Sequence, residues 1–490
     1  MSSVVVHQQP LALVPTLGPA AWRADIVAHL GSGKRIHTLY ARRGSGQQVL
    51  LTAVLEDDGG SSRFRRTQLG PHDVYHELSS HFPALHCFER EIHEQTGLPM
   101  PGHPWLKPLR YEGQDQSAMN RHSFYKIEGR ELHEVAVGPI HAGVIEPGSF
   151  RFMCLGEEVH HLEIQLGYQH RGVEQRLCQI DPRRAGPLVE TVAGDTSVAW
   201  AWAWAAAVEA LGGCTLPIDV EVARAVALEL ERVAMHLAGL AGLAADIGFL
   251  QGASSYGRLR TTAINTSMRL CGSRFGRGAV RVGGIGMQLP ADLLADVVAN
   301  IALLRTDLAI INEHFLTAHT VVHRLQGDSV LSTAQARELG VVGMAARSAG
   351  VAIDGRQGRD QGAWHVLPLA ASTLVGGDCW DRARLRILEM EASLAWSHDA
   401  LQLHPRWGSA RQTVGPLQPQ TLVTAVVEGW RGEVVHCLET GAGGELVHCK
   451  VQDPSLRNWM GLAIALRGNE ISDFPICNKS FDLSYCGNDL

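Results

Sequence analysis

The sequence predicts an α+β fold in two parts: an α/β module over residues 1–125, then a mainly helical module over residues 126–490 with small β elements at both of its ends. Three observations predict it. Hydrophobic residues make up 45% of a 490-residue chain, which is long for one core and supplies material for more than one. Short strand-like runs near the N-terminus give way, from Asp219 onward, to apolar residues at steps of three and four. Between these regimes the stretch GLPMPGHPWLKP carries too many prolines and glycines for any regular element.

Taken in order, LVPTLGPAAWRADIVAHLGSG reads as a leading loop and a short helix. RIHTLYARR and QQVLLTAVLED read as strands, with Ile36, Leu39, Val49, Leu51 and Val54 between turn-rich ends. A helix is expected around Val74–Phe82. The charged helical pattern HCFEREIHEQTG then runs into Pro99, Pro101, Gly102, Pro104 and Pro108, a wrapped connection that leaves the first unit. After the polar link GQDQSAMNRHS, the segment HEVAVGPIHAGVIEPGSFRFMCLGEEVHHLEIQLG alternates turns with short strands. In DVEVARAVALELERVAMHLAGL the residues Val222, Val226, Leu230, Val233, Leu237 and Leu240 define one buried helix face. Further helices follow Pro290 and Asp381, and VVEGWRGEVVHCLET with GELVHCKVQDP reads as β structure near the end.

Composition excludes several classes. A net charge of -7 with no charge blocks gives no electrostatic reason to bind nucleic acid. The longest apolar run, Val198–Val208, is far below the ~20 residues of a spanning helix, and the start lacks a basic n-region, so a cytoplasmic chain with no direct membrane span is expected. The ten cysteines include no Cys-x-x-Cys pair, so they read as buried small hydrophobes rather than cluster or zinc ligands. The crowd of Glu157, Glu158, His160, His161, Glu163 and His170 lacks the His-Glu-x-x-His spacing of a zinc site and reads as a hydrogen-bonded cluster. His236, one turn from Arg232, suits a polar seam between helices; His436 and His448 read as packing residues in strands. The glycine groups GSRFGRGAVRVGGIG and LETGAGGEL follow no dinucleotide fingerprint and read as tight turns. DPSLRN has the frame of an Asp-Pro-Cys-x-x-Cys metal run without its sulfur, because Ser455 and Asn458 stand at the ligand positions.

The segments GPIHAGVIEPGSFRF, GEEVHHLEIQLGYQHRGVEQ, LELERVAMHLAGLAGLAADIGF, RFGRGAVRVGGIG and DPSLRNWMGLAIALRGNEISDFP resemble the large subunits of energy-converting NiFe hydrogenases, the hydrogenase-4 component G group among them. They are also similar to the 49-kDa subunit of respiratory complex I. The first unit, through FEREIHEQTGLPMPGHPWLKPLRY, resembles the 30-kDa subunit of complex I, fused ahead of the larger module. The resemblance implies an oxidoreductase subunit held on the inner face of the cell membrane by its partners, an iron-sulfur small subunit and antiporter-like membrane subunits. In the hydrogenases two Cys-x-x-Cys pairs hold the metal. Here those positions are Ala193 and Thr196, and Ser455 and Asn458, so the resemblance implies that the nickel-iron centre is lost, that this chain holds no metal or other cofactor, and that iron-sulfur chemistry lies in the small subunit. The tyrosine that meets quinone in complex I aligns with Gly194, and the histidine loop is replaced by GPIHAGVIEPG with His141 as the nearby candidate. The residues to follow are Asp195, His141, His236, Glu157 and Glu174, with His170 and Arg171 as further polar contacts. A contribution to electron transfer or to redox-coupled proton or ion movement is the expected role; a quinone-reducing subunit and a purely structural scaffold are the alternatives.

Overall fold

Alternation of apolar residues over 36–43 and 49–56 does make strands, and a computed structural model shows what they build. It describes residues 3–57, 60–113, 119, 122–143, 145–358, 360–407 and 411–490, so most of the polar link at 113–123 lies outside the described residues. The strands are β1 (Val5–Pro10), β2 (Thr16–Leu17), β3 (Ile36–Arg43), β4 (Val49–Glu56) and β5 (Ser62–Leu69), with helices α1 (Pro19–Gly31) and α2 (His86–Thr96). One sheet has the order β2-β5-β4-β3, antiparallel except for the parallel β2–β5 pair. Its inner face, with Leu39, Leu51, Ala53 and Leu69, closes on Trp22 and Ile26 of α1 and Phe88 and Ile92 of α2.

The helix expected at Val74–Phe82 is not there. A buried carboxylate replaces its ladder: Glu89 of α2 accepts from the Leu78 and Ser79 amides at 2.8 and 3.2 Å and from the Tyr75 hydroxyl at 2.8 Å. Backbone donors satisfied in this way need no i−4 partner, so the segment wraps as turns.

The second part begins with a three-stranded antiparallel meander, β6 (Leu132–Val137), β7 (Ser149–Leu155) and β8 (Glu158–Gln165). Short helices α3 (Val173–Leu177) and α4 (Gly186–Val189) lead to α5 (Ser197–Leu211), α6 (Ile218–Asp246) and α7 (Leu250–Cys271). A two-residue hairpin, β9 (Val280–Arg281) with β10 (Gly284–Ile285), accounts for the first glycine group. Then come α8 (Ala291–Thr317), α9 (His319–Leu325), α10 (Thr333–Glu338), α11 (Gly343–Ser348), α12 (Ala363–Val366) and α13 (Cys379–Leu403). The chain finishes with β11 (Thr421–Glu428), β12 (Glu433–Thr440), β13 (Leu446–Gln452), α14 (Pro454–Ala465), α15 (Phe474–Phe481) and α16 (Tyr485–Asp489). The second glycine group is the β12–β13 turn.

Two features position the site. β1, from the very start of the chain, pairs antiparallel with β11 and completes the sheet β1-β11-β12-β13, whose inner side meets α5. The AWAWAW run of α5 is buried on every side, with Trp200, Trp202 and Trp204 at 0% exposure. Trp200 and Trp204 close on His436 of β12 at 5.3 and 5.4 Å, and burial pushes that imidazole down to about 3. Packing against α5 and α13 also corrects the reading of α6. Val222, Val226, Leu230 and Val233 are buried as expected, but so are Glu221, Arg224, Glu229, Glu231, Arg232 and His236. The whole first half of α6 is interior, and its charged residues must find partners there.

Candidate functional site: an arginine beside two polar runs

Asp453 ends β13 and caps α14, its Oδ1 accepting the Ser455 amide at 2.7 Å, with Pro454 at the first helical position where its missing N–H costs nothing. This local rule places Ser455 and Asn458 on the buried first turn of the helix. Both are engaged. Ser455 Oγ accepts the Ser484 amide at 2.9 Å, and the Asn458 side chain exchanges two hydrogen bonds with the Val342 backbone at 3.0 and 3.1 Å.

The other run, Ala193–Thr196, leads into α5. Thr196 sits at the cap position without capping; Glu231 of α6 does that work from outside, accepting from the Val198 and Ala199 amides at 2.7 and 3.3 Å. Ala193 is fully buried. Asp195, half-buried, forms a two-pronged pair with Arg431, 2.7 Å on each side, while Thr196 Oγ1 donates to Asp195 at 3.0 Å and accepts from Arg431 at 3.2 Å. Arg431 lies in the β11–β12 turn, its guanidinium 3.8 Å over the Trp430 ring, and its Nε donates to the carbonyl of Asp482. That turn is clamped by a close glycine pair. Gly343, at φ +65°, lies so near Arg431 and Gly432 that any Cβ would collide with their backbone.

One guanidinium therefore stands between the two runs. The donor set around it does not fit a soft metal: alkyl, hydroxyl and amide groups occupy the four positions, and each polar one already has a partner. Among the described residues, no group of three or more His, Cys, Asp or Glu side chains is placed to hold a metal ion.

What the arrangement offers is carboxyl groups in unequal fields. Burial opposes ionisation of Asp195, but Arg431 outweighs it and holds the carboxyl below the usual range. Asp453 has burial ahead of Arg431 and rises to about 6. Glu231 is buried with two amide donors and no salt-bridge partner among the described residues; desolvation pushes it up to about 8. Carboxyls that straddle neutral pH beside a fixed cation can take up and release protons.

Behind this pocket lies a buried ionic network. His236 meets Glu389 at 2.8 Å, Glu389 meets Arg347 at 2.8 Å, and Arg347 meets Glu428 at 2.7 Å. Arg356 joins Asp354 at 2.6 Å to Glu229 at 2.9 Å, and Arg232 bonds Glu229 at 3.2 Å. Arg232 also donates to the carbonyls of Glu428 and Gly429, which ties the network to the turn that carries Arg431. Arg386, 3.6 Å from Asp482, makes a second link. Among the described residues of the network, His236 Nδ1, Glu229 Oε1 and Arg386 Nη2 are buried and make no hydrogen bond, Nη2 having only the longer ion pair with Asp482. Such atoms are the usual seats of internal water.

Of the residues singled out in the sequence, the fold brings Asp195, Thr196, Ser455 and Asn458 around Arg431 or onto the adjoining turn of α14, and His236 into the network. Arg171 braces the same loop, donating to the carbonyls of Thr191 and Val192 at 2.7 and 3.0 Å. The others serve elsewhere. Glu174 accepts from Lys450 at 2.9 Å and from the Val451 amide at 2.8 Å, joining α3 to β13. His170 bonds the Asp489 carbonyl at 2.9 Å, His141 bonds the Gly148 carbonyl at 2.8 Å within its own loop, and Glu157 is exposed in the β7–β8 turn. Sequence reasoning missed Arg431 and Glu231. The signal for Glu231 was present, since ELER places charges on all sides of a helix whose neighbours are apolar.

Residues 246–413 match the family model of the respiratory-chain NADH dehydrogenase 49 Kd subunit. The carbon monoxide-induced hydrogenase of Rhodospirillum rubrum is 28% identical over 351 residues, 71% of this chain and 97% of that one. The chain is thus similar to hydrogenase components and, over residues 246–413, to the complex I 49-kDa subunit. Hydrogenase-4 component G of Escherichia coli (strain K12) is 26% identical over 429 residues, 83% of this chain and 74% of that one. In fold, the chain is similar to a chain from the structure of the membrane-bound sulfane sulfur reductase, an archaeal respiratory membrane complex, with a TM-score of 0.69 at 22% identity over 75% of this chain and 100% of that one. These relatives are subunits of hydrogenases and respiratory complexes. Among the described residues no helix is long and apolar enough to cross a membrane.

Proposed function

We propose that this chain is the large subunit of a membrane-bound, hydrogenase-4-like or complex I-like oxidoreductase complex, that it has lost the NiFe ligands, and that it contributes to redox-coupled proton movement. The observation that carries this reading is Arg431 joining Asp195 and Thr196 of one former ligand run to the segment packed on the other, with carboxyls of divergent proton affinity around it. In this reading an iron-sulfur small subunit covers the Asp195 side of the pocket. Electron arrival there changes the local potential, Asp453 responds by gaining a proton while Glu231 already holds one, and the ionic network behind Arg431 passes the change inward. The N-terminal sheet module stands in for a 30-kDa-like subunit, and antiporter-like membrane subunits hold the assembly at the inner face of the cell membrane.

The test is Asp195→Asn in the assembled complex, which keeps shape and removes the negative charge that faces Arg431. Electron transfer should persist while protons moved per electron fall. If both rates are unchanged, Asp195 is structural and the scaffold reading stands. One observation favours the quinone alternative: a Cβ at Gly194 would lie 3.3 Å from Arg277 Nη2, so a guanidinium donor, suited to a carbonyl oxygen, takes up the place where a side chain would project. Arg277→Ala should then raise the KM for quinone with little change in assembly.

A further inference from the structure

Where the N-terminal sheet module meets α10 and the segment after α11, the two walls do not close. They leave a cleft of about 500 Å³, within the ~300–1,000 Å³ range of small-molecule sites. The apolar walls come from Ile36, Phe82 and Ala84 on one side and Val341, Val351 and Ile353 on the other. The modules touch at its edge, where Gly340 has no room for a Cβ against Ala84.

The charges in this cleft are unequally satisfied. Arg35 is paired with Glu56 and Glu433, each at 2.7 Å, and Glu433 also faces His37 at 3.5 Å. Arg457 is not paired. It is 6% exposed, its Nη2 donates to the carbonyls of Ile36 and His37, and no carboxylate lies within ion-pair distance of it among the described residues. Carbonyl dipoles solvate a guanidinium without neutralising it, and burial outweighs the more distant Glu433, itself paired with Arg35, and lowers the proton affinity of Arg457 to about 10. Arg337 stands exposed on the rim, with no carboxylate in ion-pair distance among the described residues. A site that combines an uncompensated buried cation with an apolar wall complements a molecule with one negative charge and an apolar body.

We infer that this cleft is a binding site for a small amphiphilic carboxylate, with its head on Arg457 and Arg337 and its body against Phe82, Val351 and Ile353. The inference is independent of the role proposed for Asp195 and Arg431. A single negative charge is specified because, among the described residues that line the cleft, Arg457 is the one buried cation with no carboxylate in ion-pair distance. The apolar body is specified because the head alone would leave most of the cleft wet.

Octanoate, octanol, acetate and inorganic phosphate, titrated into the full chain by calorimetry, test it. Octanoate should bind at least about tenfold more tightly than any of the other three. It should also protect the backbone amides of 81–84 and 336–341 from hydrogen exchange in the unaltered protein. Arg337→Glu, which reverses a rim charge, and Ala352→Trp, which fills the exposed mouth, should each weaken octanoate about tenfold or more. Octanol matching octanoate would reduce the cleft to an apolar hole, and acetate or phosphate matching it would reduce it to an anion site; either result overturns the inference. So does the absence of octanoate binding, or of protection at both segments.

Discussion

Asp195, Asp453 and Asp482 share the field of one guanidinium, so Arg431 is the residue on which the pocket depends. Arg431→Gln leaves those carboxyls without it, and because solvent reaches Asp195 the cost falls below the ~3–5 kcal/mol of a fully buried pair. The expected result is a fall in Tm that Arg431→Lys only partly restores, because an ammonium cannot reproduce the two-pronged contact. Glu231 gives a pH signature. Its folded-state pKa lies above its unfolded value, so the folded protein holds a proton that the unfolded chain releases. Stability is then greatest below the unfolded carboxylate range and declines as pH rises toward about 8. Glu231→Gln should flatten the decline of Tm between about pH 5 and 8 at a cost of roughly 1 kcal/mol for the disturbed amide contacts. An unchanged slope in that variant would place the titration elsewhere. Asp195 was legible in the sequence because it sits inside a recognisable run. Arg431 was not, because its partner lies 236 positions away and nothing local marks a turn arginine as the centre of a site.

At the level of elements, the end of β13 and the start of α14 form one device, with Asp453 serving both as helix cap and as proton acceptor. The two roles separate by substitution. Asp453→Ala removes the cap and should lower stability by about 1–2 kcal/mol. Asp453→Asn keeps an accepting oxygen and removes the titration near pH 6, so it should stay close to wild type in Tm while losing its pH dependence there. Chemical denaturation at pH 5 and pH 7 distinguishes them. Elements with strong period or clear punctuation were legible: β3, β4, α6, α8, α13 and the C-terminal strands. The segment 74–82 was not, because the tertiary contact of Glu89 decided its backbone. Nor was the full burial of α6, since a helix packed on several sides keeps charged residues that a one-face pattern assigns to solvent.

For the molecule as a whole, purified chain should contain no stoichiometric nickel by elemental analysis, and a value near one per chain with accompanying iron would falsify the reading of the pocket. The C-terminal segment is equally testable. Leu490 and Asp489 are buried, with Asp489 accepting the Gly167 and Gln169 amides at 2.8 and 2.9 Å. Truncation after Asn458 should therefore yield insoluble protein, and a folded truncated chain on size exclusion would contradict that. The α+β class with a strand-rich start and helical middle could be read from composition and period. The placement of β1 could not, because its partner strand is remote and six residues carry no address. That placement sets a timetable. Val5 pairs with Val426, so β1, once synthesised, waits for more than four hundred further residues before its partner exists. At ~5–20 residues per second, that wait is roughly 20–80 s. Throughout it β1 has no native edge to join, and the nascent chain must be kept from the wrong one.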